Sequence, residues 1–237
     1  MNETTLIITG GTKGLGREIS LIFAQNGHRV IALYSKDTIA AKELEKHGRK
    51  LKGDIFTKQF DISKLKTTNE TLEFEKNIIG KIILINNAVS TFHPKPMHLT
   101  TSEEIQNQWE VTVQGTFFLS ICLAKRMIKD NSGTIANILT PLIIEDNVKG
   151  FSSYLMAKHA LHGLTKVQKS EFDRLGIRVL SIYPPFMETS LTNKWNKDIL
   201  KKMKDKKGIP PKIIGKKVFS ILNNIERDKC ESIYNLF

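Results

Sequence analysis

The sequence predicts an α/β protein, a single domain over residues 1–237 built on a doubly wound parallel sheet with helices on both faces. Three observations predict it. Short apolar runs alternate with stretches of helical periodicity along the whole chain, the strand–helix–strand pattern of a parallel sheet. A glycine-rich turn follows the first apolar run and opens a helix. The composition, 40% hydrophobic and 25% charged, comes with no linker rich in Pro, Gly or Ser and no internal repeat, so one large core is the economical arrangement.

In chain order, Leu6–Thr9 is an apolar run that ends at the glycine turn, and helical spacing follows over 14–26. Val30–Tyr34 is a second strand-like run, followed by a helical stretch over 38–48. Phe56–Phe60 is the third strand, with a helix expected over 64–78. Ile82–Asn86 is apolar until its last residue, as befits a strand buried on both faces, and the long periodic stretch 101–129 follows it. Thr134–Leu139 and Val179–Tyr183 are the fifth and sixth strands, separated by a helix over 151–174. Helices over 190–206 and 211–226 and a weak strand, Ser232–Tyr234, complete the pattern.

The formal charge of +12 is local. Residues 194–217 hold ten lysines and two aspartates, a net +8, which leaves +4 for all the rest. Nucleic-acid binding calls for arginines and exposed aromatics among the lysines. This segment has Trp195 and no arginine, so no nucleic-acid partner is expected. No run of about 18 apolar residues is present, so no membrane span is expected. The start, MNETTLIITGG, reads as a strand entering a turn, not as a signal peptide. Cys122 and Cys230 lie far apart, which suits a reducing cytoplasm. The pairs His93/His98 and His159/His162 lack a third ligand at metal-binding spacing, so no metal is expected.

The turn after the first strand is Thr9-Gly10-Gly11-Thr12-Lys13-Gly14-Leu15-Gly16. Glycines let the backbone turn sharply and approach a bound pyrophosphate, whose charge is met by N–H groups at the helix N-terminus. No Gly-Lys-Ser/Thr closes the motif, so it is not an ATP-type P-loop. Further along, Tyr154 and Lys158 stand four apart and share a helix face. A free tyrosine, with a pKa near 10, is a poor proton shuttle at neutral pH, and a nearby ammonium is expected to lower that value.

The spacing Thr-Gly-x-x-x-Gly-x-Gly resembles the short-chain dehydrogenase/reductase family, and the resemblance continues along almost the whole chain. Asp61-Ile62 is similar to the family's adenine contact. Asn86-Asn87-Ala88 is similar to its Asn-Asn-Ala-Gly motif, with Val89 in place of the last glycine. Tyr154-Leu155-Met156-Ala157-Lys158 matches the Tyr-x-x-x-Lys signature, and Pro184-Pro185-Phe186-Met187-Glu188-Thr189 is similar to the Pro-Gly-Phe-Ile-Glu-Thr loop. The closest likeness is to 3-oxoacyl-[acyl-carrier-protein] reductase-type members.

The resemblance implies a Rossmann-type fold and an oxidoreductase in which Tyr154 protonates a substrate carbonyl while hydride arrives from a nicotinamide. It implies that Lys158 holds the ribose hydroxyls and tunes Tyr154. Thr140 aligns with the family's helper serine at a spacing of fourteen instead of thirteen, and its hydroxyl can donate the same hydrogen bond. Ser152 and Ser153 stand too close to Tyr154 for that part. Thr112 occupies the place of the family's fourth catalytic residue, an asparagine. Pro185 replaces a glycine and removes an N–H donor.

The implied cofactor residues are Gly10, Thr12, Lys13, Gly14, Leu15 and Gly16 in the first turn, then Asp61, Ile62, Asn87 and Ala88, and finally Tyr154, Lys158, Pro184 and Thr189. At the end of the second strand, where NAD-preferring enzymes place an acid, Tyr34 is followed by Ser35 and Lys36. With Lys13, these predict NADP(H), although Asp37 weakens the positive field.

The family's specificity region falls at about 186–212, a substrate lid that includes the lysines. A basic lid suits a β-ketoacyl thioester on an acidic acyl carrier protein. A small ketone, sugar or polyol is the alternative substrate. The departures at Val89, Thr112 and Pro185 leave open a cofactor-binding protein with weak or lost catalysis. The long helices 101–129 and 151–174 pair subunits in the family, so a homo-oligomer is expected, a dimer before a tetramer.

Overall fold

The computed structural model describes residues 4–67, 73–146, 148–204, 208–223 and 233–236. Seven parallel strands form one sheet: β1 (Thr4–Thr9), β2 (Arg29–Tyr34), β3 (Ile55–Gln59), β4 (Lys81–Asn86), β5 (Gly133–Ile138), β6 (Ile177–Tyr183) and β7 (Ile233–Asn235). Their order across the sheet is β3-β2-β1-β4-β5-β6-β7. The chain runs outward from β1 in one direction and returns to start again at β4. The strand order therefore reverses between β1 and β4, the position where such sheets open a crevice at their carboxyl ends.

The inner strands β1, β2 and β4 are near-continuous apolar runs because both of their faces are covered, whereas the edge strand β3 leaves Phe56 and Gln59 exposed. Alternation sorts the side chains. Leu6 and Ile8, Val30 and Ala32, and Ile83 and Ile85 belong to one buried cluster. Ile7, Ile31 and Leu33, and Ile82 and Leu84 belong to the other. Helices α1 (Gly14–Gln25) and α7 (Pro211–Asn223) cover the first face with Ile19, Phe23, Val218 and Leu222. Helices α4 (Thr116–Lys129) and α5 (Ser152–Phe172) cover the second with Leu119, Leu123, Met127 and Phe172. Helix α2 (Thr38–Gly48) packs beside β3.

Three expected helices take other forms. Within 64–78, Leu65 is extended, 66–67 form no helix, and a single tight turn spans Glu75–Asn77, with 68–72 outside the described residues. Leu65, Phe74 and Ile78 are buried singly in the second cluster, so apolar anchoring, not helical periodicity, places this stretch. The stretch 101–129 is helical throughout but divided into α3 (Ser102–Trp109), a wide π turn over Glu110–Gly115, and α4. In the third, 190–206, helix begins only at α6 (Lys197–Lys204). Upstream, the Thr192 hydroxyl is bonded to the backbone of Thr189, and Asn196 Oδ1 accepts from the Asp198 N–H, local bonds that compete with a helix. The start of the predicted closing strand at Ser232, residues 205–206, the end of the 211–226 helix, and Cys230 lie outside the described residues.

The span Ser102–Lys129 is long and apolar enough to cross a bilayer by length and composition, which qualifies the expectation drawn from apolar runs. Half of its most apolar window is buried against the sheet, and the core accounts for that apolarity.

Candidate active site

A cleft of about 890 Å³ opens at the carboxyl ends of the strands and draws its lining from the loops after β1 to β6. Gly10 and Gly14 have φ of +61° and +53°, the left-handed region that glycine adopts without penalty. The loop after β1 is fastened to the loop after β4. Thr9 Oγ1 accepts from the N–H groups of Asn87 (2.9 Å) and Ala88 (3.0 Å). Asn87 Nδ2 donates to the carbonyls of Thr9 (2.9 Å) and Gly10 (3.2 Å).

Gly10, Thr12, Lys13, Gly14 and Leu15 line the cleft, as do Ser35 and Lys36 after β2 and Asp61 and Ile62 after β3. Asn87, Ala88, Thr140, Tyr154, Lys158, Pro184 and Thr189 complete the predicted set on the other side. Two predicted residues do not line it. Gly16 sits behind the loop, where a Cβ would collide with the carbonyl of Gly10. Thr112 lies in the π turn, 1% exposed, with its hydroxyl unpartnered, on an element that packs against α5.

The first turn of α1 fits an anionic group. Its N-terminal N–H groups receive no side-chain cap from Lys13, and no acidic residue stands in that turn. A pyrophosphate would satisfy these donors and match the helix dipole. Lys13 Nζ lies 2.9 Å from Asp37 Oδ2. The Ala40 N–H, then Lys13, hold the Asp37 carboxyl below its usual range. Asp37 is thus both the cap of α2 and the counter-ion of Lys13.

Tyr154 and Lys158 stand on α5, and the Thr140 hydroxyl faces the phenol across the cleft and eases its ionisation. Lys158 Nζ donates to the Ile138 carbonyl at 2.6 Å and lies 5.8 Å from the Tyr154 ring centroid. Enclosure pushes the phenol up to about 12, a rise the Thr140 hydroxyl partly offsets, and burial pulls Lys158 down to about 7. The expected lowering of the tyrosine by its lysine is thus not what sets its acidity: burial raises it, and the opposing effect comes from Thr140. At neutral pH Tyr154 is a protonated phenol, able to donate. Ser152 and Ser153 stay out of the cleft lining, and Ser152 Oγ is hydrogen-bonded to Thr100 Oγ1 at 2.7 Å.

Sequence reasoning missed an aromatic cluster around Tyr154. Phe92 stacks on its ring with centroids 4.7 Å apart and planes 13° apart. Trp195 Nε1 donates to the Phe92 carbonyl at 3.0 Å, and Phe151 packs against Phe92 and Trp195. A signal existed. Trp195 is the one aromatic residue within the lysine-rich segment, and Phe151 precedes Tyr154 by one turn.

Residues 4–200 match the family profile described as short chain dehydrogenase. Over 219 residues the chain is 32% identical to a 3-oxoacyl-[acyl-carrier-protein] reductase of Buchnera aphidicola, covering 91% of this chain and 85% of that protein. Among solved structures, a metagenomic short-chain oxidoreductase in complex with NADP is 20% identical. It covers 100% of this chain and 97% of its own, with a TM-score of 0.79. A putative gluconate dehydrogenase of Agrobacterium tumefaciens is 26% identical, with 92% and 88% covered and a TM-score of 0.78.

Proposed function

Because the chain belongs to the short-chain dehydrogenase/reductase family, we propose that it is an NADPH-dependent oxidoreductase that reduces a carbonyl to an alcohol. The observation that carries this reading is the protonated Tyr154 phenol, with the Thr140 hydroxyl lining the same cleft, one helical turn from buried Lys158. A bound nicotinamide supplies hydride to the carbonyl carbon. Tyr154 gives its proton to the carbonyl oxygen, Thr140 orients that oxygen, and the Lys158 ammonium stabilises the phenolate left behind. The buried, unpartnered hydroxyl of Thr112 supports a place for it beside that proton path. Retention of all three groups in one cleft favours catalysis over cofactor binding alone.

Ser35, Lys36 and Lys13 favour a 2′-phosphate, and the NADP-bound neighbour is consistent with that choice. Lys13→Ala combined with Lys36→Ala is expected to lower the preference for NADPH over NADH by about 10–100-fold, the size of one charged hydrogen bond. Fluorescence titration with both cofactors checks it, and an unchanged ratio removes these lysines from the choice.

The finer substrate reading is a β-ketoacyl thioester on an acyl carrier protein, the substrate in the name of the Buchnera relative. Lys194, Lys197 and Lys201 are exposed on the outer side of the lid, where they would steer an acidic carrier. The KM for a carrier-bound 3-oxoacyl substrate is expected to rise about tenfold between low and high salt, while that for the pantetheine analogue stays level. Equal responses would exclude carrier steering. Trp109 and Phe117 on 102–129 and Met156 and Val167 on α5 are exposed apolar side chains, which support a homodimer through these helices, in a cytoplasmic setting.

A further inference from the structure

The substrate end of the cleft is walled by apolar side chains from three separate segments. Phe92 follows β4, Leu142 and Phe151 lie between β5 and α5, and Trp195 and Met203 belong to the lysine-rich segment. Phe92, Phe151 and Trp195 are 5%, 5% and 8% exposed, and their ring centroids lie 5.2–5.9 Å apart. None of Lys194, Lys197 and Lys201 lines the cleft; all three are exposed. Helix α6 turns Ile199, Leu200 and Met203 to the aromatic cluster. The segment that looked basic in sequence thus meets the substrate with its apolar side.

Three buried polar side chains that line the cleft near the phenol already have partners. Thr140 Oγ1 accepts from the Leu142 N–H, Lys158 donates to the Ile138 carbonyl, and the Thr192 hydroxyl is bonded to the Thr189 backbone. A polyhydroxylated chain would set its hydroxyls against carbon here, where each unpaired group is penalised. An aromatic ring would meet aromatic faces and edges, which attract it beyond simple area burial.

We propose that the cleft takes a ketone whose group beyond the carbonyl is apolar and aromatic, packed against Phe92, Phe151 and Trp195. This substrate class rests on the carbonyl-reductase reading and narrows it. The deciding assay measures kcat/KM of the full chain with NADPH for 4-phenylbutan-2-one, its saturated counterpart 4-cyclohexylbutan-2-one, and 5-keto-D-gluconate. The phenyl ketone is expected to exceed the cyclohexyl ketone several-fold and the ketogluconate by about 100-fold or more. Trp195→Leu and Phe151→Leu should each bring the phenyl-to-cyclohexyl ratio towards one. If Trp195→Leu does not fold, the wild-type ratio and Phe151→Leu decide.

Binding is read separately from turnover. In a Trp109→Phe protein, Trp195 is the remaining one of the two tryptophans, and its fluorescence should be quenched saturably by 4-phenylbutan-2-one without cofactor. A wild-type ratio of one, or a preference for 5-keto-D-gluconate, overturns the aromatic site while leaving a carbonyl reductase in place. Saturable quenching with no oxidation of NADPH by any ketone sustains the aromatic site and sinks the reductase reading.

Discussion

Tyr154→Phe is expected to lower kcat/KM for carbonyl reduction by about 10²–10⁴-fold, the usual contribution of a positioned general acid. The substitution removes one hydroxyl and keeps the ring, so the stack on Phe92 at 4.7 Å is preserved and any loss of NADPH affinity should be small beside the loss of rate. Steady-state rates and a cofactor titration on the same preparation separate the two effects. A variant that reduces the same ketone at the wild-type rate would take the proton donor elsewhere. The pH profile carries a second signature. With the phenol pushed up to about 12 and Lys158 pulled down to about 7, the reduction rate should fall as pH rises through about 7, where the ammonium is lost. It should not show a limb at the ordinary tyrosine value.

Lys158→Met is expected to abolish most activity and yet stabilise the fold. Lys158 is 2% exposed, and burial takes its pKa from 10.5 to about 7. A lysine whose folded pKa is depressed binds its proton more readily in the unfolded chain. It therefore destabilises the fold by its full amount below pH 7, and this penalty fades as pH rises from about 7 to about 10.5. The shift corresponds to about 3–5 kcal/mol. Loss of the donor to the Ile138 carbonyl offsets about 1–3 kcal/mol of it. Thermal unfolding from pH 6 to 9.5 should show the variant's advantage largest at the acid end and shrinking with pH. Parallel wild-type and variant curves would mean that the ammonium is better solvated than its burial indicates.

The inner strands and the glycine turn were legible because β1, β2 and β4 are near-continuous apolar runs buried on two faces, a pattern that survives without knowledge of neighbours. The stretch 64–78 was not, since Leu65, Phe74 and Ile78 are each fixed by the core and not by one another. The cleft-lining residues were legible where a motif holds them, as with Asn87 and Tyr154. Phe92 and Trp195 touch across 103 positions of sequence, and no local spacing announces such a pair. The acidity of Tyr154 was misjudged for a related reason. A neighbouring lysine can be read from a four-residue spacing, whereas the enclosure that sets the phenol's acidity is made by loops from several strands.

The bonds between Thr9 and Asn87 join residues 78 positions apart. During synthesis the glycine turn emerges early, but the residues that fasten it arrive only with the fourth strand. The floor of the cleft is thus a late, non-local event in folding, closed at the cost of ordering a long intervening chain. A nascent first third of this protein, ending before β4 at Lys81, would possess the glycine turn in sequence without the bonds that hold its shape, and these would form only when β4 slots in beside β1.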